Sequence, residues 1–76
     1  MTAILRITKG NKGTVRHLEN CMLEEYPDGY MISADHMQPK VIKAEEIQKK
    51  SNIEHNGAEE DIFLLKDGTT LALIWG

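Results

Sequence analysis

The segment IFLLKDGTTLALIW, residues 62–75, is the part of the sequence that decides the fold. Its two apolar runs flank Asp67-Gly68, a dipeptide typical of tight β-hairpins. Side chains along a strand alternate between its two faces. In the second run the two sets are Thr69, Leu71, Leu73 and Trp75 on one face and Thr70, Ala72 and Ile74 on the other. Because both faces are apolar, we expect this strand to lie inside a sheet, unless a second subunit covers one face.

The first eighteen residues predict another hairpin. Residues 3–8 place one apolar set, Ala3, Leu5 and Ile7, on a common face. The glycines of the following Gly10-Asn11-Lys12-Gly13 tolerate the positive φ angles of a tight turn, and residues 14–18 return as a strand. After this hairpin the apolar positions change phase near Glu19-Asn20, which predicts a bulge or a bend.

The middle of the chain predicts short strands, turns and one helical segment. Tyr26-Pro27-Asp28-Gly29 has proline and glycine where a β-turn favours them. Residues 44–50 are rich in helix formers and predict one or two helical turns. The remaining expectations are a strand over 29–33, a loop over 34–39, a strand over 40–42 and a short strand around Ile53.

Together these elements predict a single, mainly β domain over residues 1–76. About six short antiparallel strands with one helical turn fit a small meander, a partly open SH3-like barrel, or a strongly twisted sheet covered on one side. The pattern leaves these three alternatives open. A second domain is excluded, because chains of this length bury only about 60% of the surface that they expose when unfolded.

The chain has few means of supplementing so small a core. The single cysteine, Cys21, excludes an internal disulfide and does not form a zinc site by itself. One core of this size contributes only about 3–5 kcal/mol of stability. We therefore expect a homo-oligomer, in the simplest case a homodimer, or tight binding to a protein partner.

No motif indicates an enzyme, a metal site or a cofactor. The histidines at 17, 36 and 55 are too widely spaced to form a local pair of metal ligands. His17 and Cys21 are four residues apart, which is about 13 Å along a strand and too far for the imidazole to activate the thiol. Adjacent carboxylates such as Glu59-Glu60 point to opposite faces of a strand and are expected to be solvated. We therefore expect no catalytic residue, no bound metal and no cofactor.

The composition favours a soluble, cytoplasmic protein. Charged residues make up 28% of the chain, and no run of about eighteen apolar residues is present. Arg6 interrupts the apolar stretch that an N-terminal signal peptide requires. We expect no association with a membrane.

Positive charge is concentrated near the start of the chain. Residues 1–20 contain one acid, Glu19, and four cations: Arg6, Lys9, Lys12 and Arg16. Residues 21–76 contain eleven acids and five lysines. The four cations predict a basic ridge on the first hairpin, so a small nucleic-acid-binding barrel is the alternative function. The ridge has no aromatic residue for base stacking, and the net charge of the chain is −3, so nucleic acid is the less favoured partner.

The preferred function is a non-catalytic protein-interaction or regulatory module that self-associates. Methionine, tyrosine and tryptophan are frequent where proteins meet their partners. The candidate interface residues are Met22, Tyr30, Leu71, Leu73 and Trp75, with Tyr26, Met31 and Met37 as neighbours of the first two. A specific form of this hypothesis is an inhibitor encoded by a mobile element, whose carboxylates imitate phosphate. It requires a common surface for Glu45, Glu46, Glu59, Glu60 and Asp61.

Overall fold

The computed structural model describes residues 1–76, of which 67% lie in β-strands. Eight strands are joined in antiparallel pairs, and a single turn of 3₁₀ helix spans Ala44–Glu46. The strands are β1 (Ala3–Lys9), β2 (Lys12–Leu18), β3 (Met22–Tyr26), β4 (Gly29–Ser33), β5 (Lys40–Lys43), β6 (Ile47–His55), β7 (Ala58–Leu65) and β8 (Thr70–Trp75). The predicted mainly β class with one helical turn is confirmed.

The eight strands form two sheets. Five of them follow the order β2-β1-β8-β7-β6, and the other three follow the order β3-β4-β5. β8 pairs with β1 on one side and β7 on the other, so the prediction that the two-sided apolar strand is internal is confirmed. One cluster of buried side chains draws residues from both sheets. The architecture is therefore a five-stranded sheet with one face covered by a smaller sheet.

Phe63 lies at the centre of this core. Its side chain is fully buried, and Tyr30 of the smaller sheet meets it edge to face, with ring centroids 4.9 Å apart. Leu71 and Leu73, expected to contact a partner, are 1% and 0% exposed and belong to the same cluster. This corrects the expectation, because both side chains point between the sheets and are not accessible from outside.

The change of phase after the first hairpin marks the passage from one sheet to the other. β2 ends at Leu18, and the chain turns through Asn20, whose φ of 52° is left-handed, before β3 begins in the smaller sheet. The Cys21 N–H donates to the Met1 carbonyl at 2.7 Å and secures the turn. The predicted bend is present. The alternation of apolar residues changes phase because β2 belongs to the larger sheet and β3 to the smaller one.

The helix predicted over residues 44–50 is wrong beyond its first turn. The 3₁₀ turn ends at Glu46, and β6 begins at Ile47, which packs against the core. Pairing with β7 then satisfies the backbone of the following residues. An isolated helix of seven residues is marginal, so strand pairing overrides its helix propensity. No helix in the structure is long and apolar enough to span a membrane.

Glycine residues lie at the hairpin turns, but the turns differ in extent from the expectation. The first turn is confined to Gly10 and Asn11, because β2 begins at Lys12 and not at Thr14. Asn56 and Gly57 form a two-residue turn with φ angles of 53° and 80°, as a type I′ turn requires. Asp67-Gly68 lies in a four-residue connection between β7 and β8. Gly29, which follows the Pro27-Asp28 turn, has a φ of 150°, and a Cβ there would collide with the carbonyl oxygen of Ile42.

We expect Gly29→Ala to lower the free energy of unfolding by about 2 kcal/mol or more, because the added methyl group meets both backbone strain and a fixed carbonyl. Gly10→Ala is the matched control. Gly10 also has a positive φ, 61°, but a Cβ there meets no atom within 4 Å, so we expect only the conformational cost, about 1 kcal/mol. Urea unfolding of both variants gives the two values. Equal losses would contradict the proposed collision.

Candidate functional site

The face of the five-stranded sheet that points away from the core carries at least one aliphatic side chain on every strand, interspersed with polar residues such as Thr8, Lys49 and Thr70. Strand register places on it Ile4, Val15, Ile53, Ile62, Leu64, Ala72 and Ile74, which we call the aliphatic face. Val15 and Ile53 are among the most exposed large apolar residues of the chain. The smaller sheet covers the opposite face, so these side chains form an apolar surface without a partner layer.

One ion pair crosses the aliphatic face. Arg6 of β1 donates from Nη2 to Glu60 Oε2 of β7 at 3.4 Å. Since β8 lies between these strands, the pair spans the central strand, and Ala72 beneath it is only 2% exposed. Both charged side chains remain accessible to water, and such pairs contribute little to stability. The face therefore presents the Arg6–Glu60 pair near its centre, and Lys49 of β6 adds a second cation at its edge.

A second apolar surface lies on the outer side of the smaller sheet. It consists of Met22, Tyr26, Met31 and Val41, which we call the methionine patch. Three of these residues are strongly exposed, at 55% for Met22, 44% for Tyr26 and 62% for Val41. The hydrogen bond that the Tyr26 hydroxyl donates to Glu24 at 3.1 Å raises the pKa of Tyr26. Of the expected interface residues, Met22 is on this surface.

The remaining expected residues point inward or lie at its edge. Tyr30 alternates with Met31 on β4 and packs against the core, and Met37 does the same from the loop after β4. Trp75 is half-buried, and its indole N–H donates to Asp61 Oδ2 at 2.8 Å. Trp75 is therefore held inside the fold by a hydrogen bond as well as by packing.

Asp61 is a buried carboxylate, whereas the run of acids that contains it predicts a solvated one. It is 7% exposed and accepts three hydrogen bonds of 2.8 Å, from Lys50 Nζ, Asn52 Nδ2 and Trp75 Nε1. Burial raises the pKa of Asp61, but the three hydrogen bonds and the charge of Lys50 together lower that pKa below its ordinary value. The signal was present in the alternation of β7, where Asp61 shares the phase of Phe63 and Leu65. The network joins β6, β7 and β8.

The four cations of the first hairpin do not form one ridge. Register places Arg6 on the aliphatic face and the other three, Lys9, Lys12 and Arg16, on the opposite side of the hairpin. Lys9 pairs with Asp67 at 3.4 Å, and Arg16 donates to the His36 carbonyl at 2.7 Å. The structure therefore divides the predicted basic surface.

The acids required for phosphate imitation are dispersed as well. Glu45 and Glu46 lie in the 3₁₀ turn, Asp61 is buried, and Glu59 and Glu60 point to opposite sides of β7. No common acidic surface exists. No group of three or more His, Cys, Asp or Glu side chains is arranged to hold a metal ion. Cys21 is buried, and this burial raises the pKa of its thiol despite the nearby N-terminal ammonium.

We expect Asp61→Asn to lower the free energy of unfolding by about 1–3 kcal/mol at pH 7, because Asn accepts fewer hydrogen bonds and leaves Lys50 without its counter-charge. Glu59→Gln is the control. Glu59 is an exposed carboxylate two residues away, and we expect its replacement to change stability by about 0.5 kcal/mol or less. Urea unfolding measures both variants, and similar losses would contradict the importance of the buried network.

The stability difference between the native chain and Asp61→Asn also depends on pH. The pKa of Asp61 is lower in the folded state than the ordinary carboxyl value of 3.8, so folding favours the ionised form. Its contribution is complete above the unfolded pKa and is lost as the pH falls through the folded pKa. We expect the difference in the free energy of unfolding between the two proteins to be constant above pH 6 and to become smaller below about pH 4. A gap that widens in acid would contradict this assignment.

Comparisons with models of known protein families, with curated protein sequences and with solved structures found no match to this chain.

Proposed function

We propose that this protein is a non-catalytic interaction module that self-associates, with the aliphatic face as its contact surface. The observation that carries the proposal is the exposed aliphatic surface on all five strands of the larger sheet. A sheet that is apolar on both faces is normally covered on both, and the smaller sheet covers only one. A second copy of the chain supplies the missing layer.

The surface area of the monomer supports this arrangement. The accessible surface is 5245 Å², whereas a compact monomer of 8.6 kDa exposes about 4,700 Å². Only 13 of the 76 residues are buried. The excess of about 500 Å² is comparable to the flat area of five strands about 4.8 Å apart and six residues long. Pairing two such faces covers the excess on both copies.

The same estimate predicts how tightly the copies bind. Two faces of about 500 Å² bury about 1,000 Å² in total, which is near the lower limit for a specific interface. We therefore expect a dimer that dissociates on dilution. A two-fold axis through the face makes the contact self-complementary, because each copy offers both Arg6 and Glu60 to its partner.

The methionine patch supports the regulatory part of the proposal. It lies on the opposite side of the molecule from the aliphatic face, so it stays accessible in the dimer. Methionine adapts its shape to different partners, and exposed tyrosine combines apolar contact with a polar hydroxyl. We propose that another protein binds there while the copies remain paired.

We expect Ile62→Lys to convert the dimer into a folded monomer, because Ile62 lies near the middle of the aliphatic face and a buried lysine there has no counter-charge. Ile53→Lys is the second variant, since Ile53 is already exposed and its replacement leaves the core intact. The matched control is Val41→Lys, which introduces the same charge on the methionine patch. Sedimentation velocity across a range of concentrations measures association, and circular dichroism verifies folding.

In the native chain and in Val41→Lys, the melting temperature should rise with protein concentration, as linkage to dimer formation requires. In the two aliphatic-face variants it should stay constant. Self-association by this face is excluded if the native chain is a monomer at every concentration, or if both folded variants still dimerise.

Charge reversal tests the two-fold arrangement. Arg6→Glu places two carboxylates on each face and should weaken the dimer about tenfold or more, because like charges then meet across the interface. Adding Glu60→Arg to the same chain restores the central pair of opposite charges in reversed order and should recover the native affinity. The measurement is the dimer dissociation constant of the native chain, of Arg6→Glu and of the double variant. A double variant that dimerises as weakly as Arg6→Glu would contradict a self-complementary contact.

A further inference from the structure

A cleft lies between the first hairpin and the segment that leads into β5. Its volume is about 730 Å³, within the range of small-molecule sites. Ile7 and Met37 are among the apolar residues that line it. The polar residues around it are Thr14, Arg16, His36, Gln38 and Lys40. The cleft therefore combines apolar walls with several hydrogen-bond donors.

The charge of this cleft distinguishes it from the other grooves of the molecule. No Asp or Glu lines it, whereas each of the other four main grooves contains at least one carboxylate. The absence of acids gives this cleft a positive charge although the chain as a whole has a net charge of −3. The ion pairs of the protein involve Arg6, Lys9 and Lys50. Arg16 and Lys40 have no carboxylate within 4 Å. Both cations are available to a ligand.

Arg16 is held in place by the backbone of the facing segment. Its Nη2 donates to the His36 carbonyl oxygen at 2.7 Å, and the other guanidinium N–H groups remain free. His36 adopts a left-handed φ of 58°, a conformation that costs energy for a residue other than glycine. His36 thus keeps an unfavourable backbone conformation while its carbonyl oxygen orients the guanidinium of Arg16.

The same segment is anchored at its start. The Asp35 N–H donates to the Glu19 carbonyl at 2.9 Å, and the Asp35 carboxylate accepts a hydrogen bond from Asn20 Nδ2 at 2.6 Å. This second bond also engages the carboxylate of Asp35, which precedes the cleft residue His36, with Asn20. The wall of the cleft is therefore fixed before a ligand arrives, which reduces the entropy cost of binding.

From these observations we propose that the cleft binds a phosphate group, with Arg16 and Lys40 as its charged donors and Thr14 and Gln38 as neutral ones. Guanidinium groups bind phosphate oxygens through paired hydrogen bonds, and ammonium groups bind them as point charges. No Phe, Tyr or Trp lines the cleft, so it lacks the large aromatic rings on which single-stranded bases usually stack. The ligand's phosphate is the group recognised, whether a small phosphorylated molecule or a nucleic-acid backbone carries it. This site goes beyond self-association and does not depend on it.

The test is a titration of the isotope-labelled full chain with inorganic phosphate at low salt, followed by ¹H–¹⁵N NMR. We expect saturating shifts clustered at Thr14, Arg16, His36, Gln38 and Lys40. Arg16→Gln and Lys40→Gln should each weaken binding about tenfold. Gln at position 16 keeps a donor, and Lys40→Gln alters no hydrogen bond seen in the structure. The matched control is Lys43→Gln, a cation at the end of β5 that lies outside the cleft and should leave the affinity unchanged.

Two further titrations distinguish the sources of the phosphate. Tighter binding of adenosine monophosphate than of an eight-nucleotide oligothymidylate indicates a small phosphorylated ligand. Tighter binding of the oligonucleotide, with a steep loss as salt rises, indicates a nucleic-acid backbone. Shifts that spread over all surface lysines without saturating, or affinities that Arg16→Gln and Lys40→Gln leave unchanged, overturn the proposal. Phosphate binding by the Ile62→Lys monomer separates this result from the outcome for self-association.

Discussion

The contact between Tyr30 and Phe63 is the interaction on which the architecture depends. The rings meet edge to face at an interplanar angle of 64°, one from each sheet, and the other buried side chains surround them. Such a pair adds about 0.5–1.5 kcal/mol beyond the area that it buries. Both rings lie on the core side of their sheets, so the contact joins the two sheets at the face of the large sheet that is covered. The aliphatic face is exposed because the core lies on the other side of the sheet.

A three-stranded sheet is too narrow to cover five strands, and this mismatch explains the polar regions on both flanks of the core. On the β6 flank the inward-facing Lys50 and Asn52 are exposed to water, and Asp61 accepts hydrogen bonds from both. On the β2 flank, Thr14 and Arg16 face the same side of the sheet as the core, but they are exposed. On the β6 flank, the carboxylate of Asp61 neutralises the charge of Lys50. The other flank retains Arg16 and Lys40 without carboxylate partners, which is why the phosphate site is proposed there and not at Asp61.

Local sequence signals predicted that the chain turns near Gly10, Gly29 and Gly68 and that β8 is internal, because glycine placement and alternation are properties of neighbouring residues. The errors arose where distant parts of the chain decide. Residues 47–50 form a strand because β7 provides a partner, and the phase change after Leu18 reflects a change of sheet. The division of Arg6 from Arg16 follows from register, since Arg16 pairs with Leu5 and not with Arg6. A two-residue turn at Gly10-Asn11 fixes this register, because it sets Lys9 opposite Lys12 and therefore Leu5 opposite Arg16.

The two proposed sites are compatible because they lie on opposite sides of the same sheet. Thr14 and Arg16 alternate with Val15 along β2, so a partner on the aliphatic face leaves the cleft open to solvent. In a dimer related by a two-fold axis the two clefts point away from each other, with two layers of sheet between them. Sheets pack about 10 Å apart, so one small ligand cannot reach both clefts, and we expect the two proposed phosphate sites to be independent. Only a polymer long enough to pass around the dimer gains affinity from both clefts, through the high effective concentration of the second site once the first is occupied.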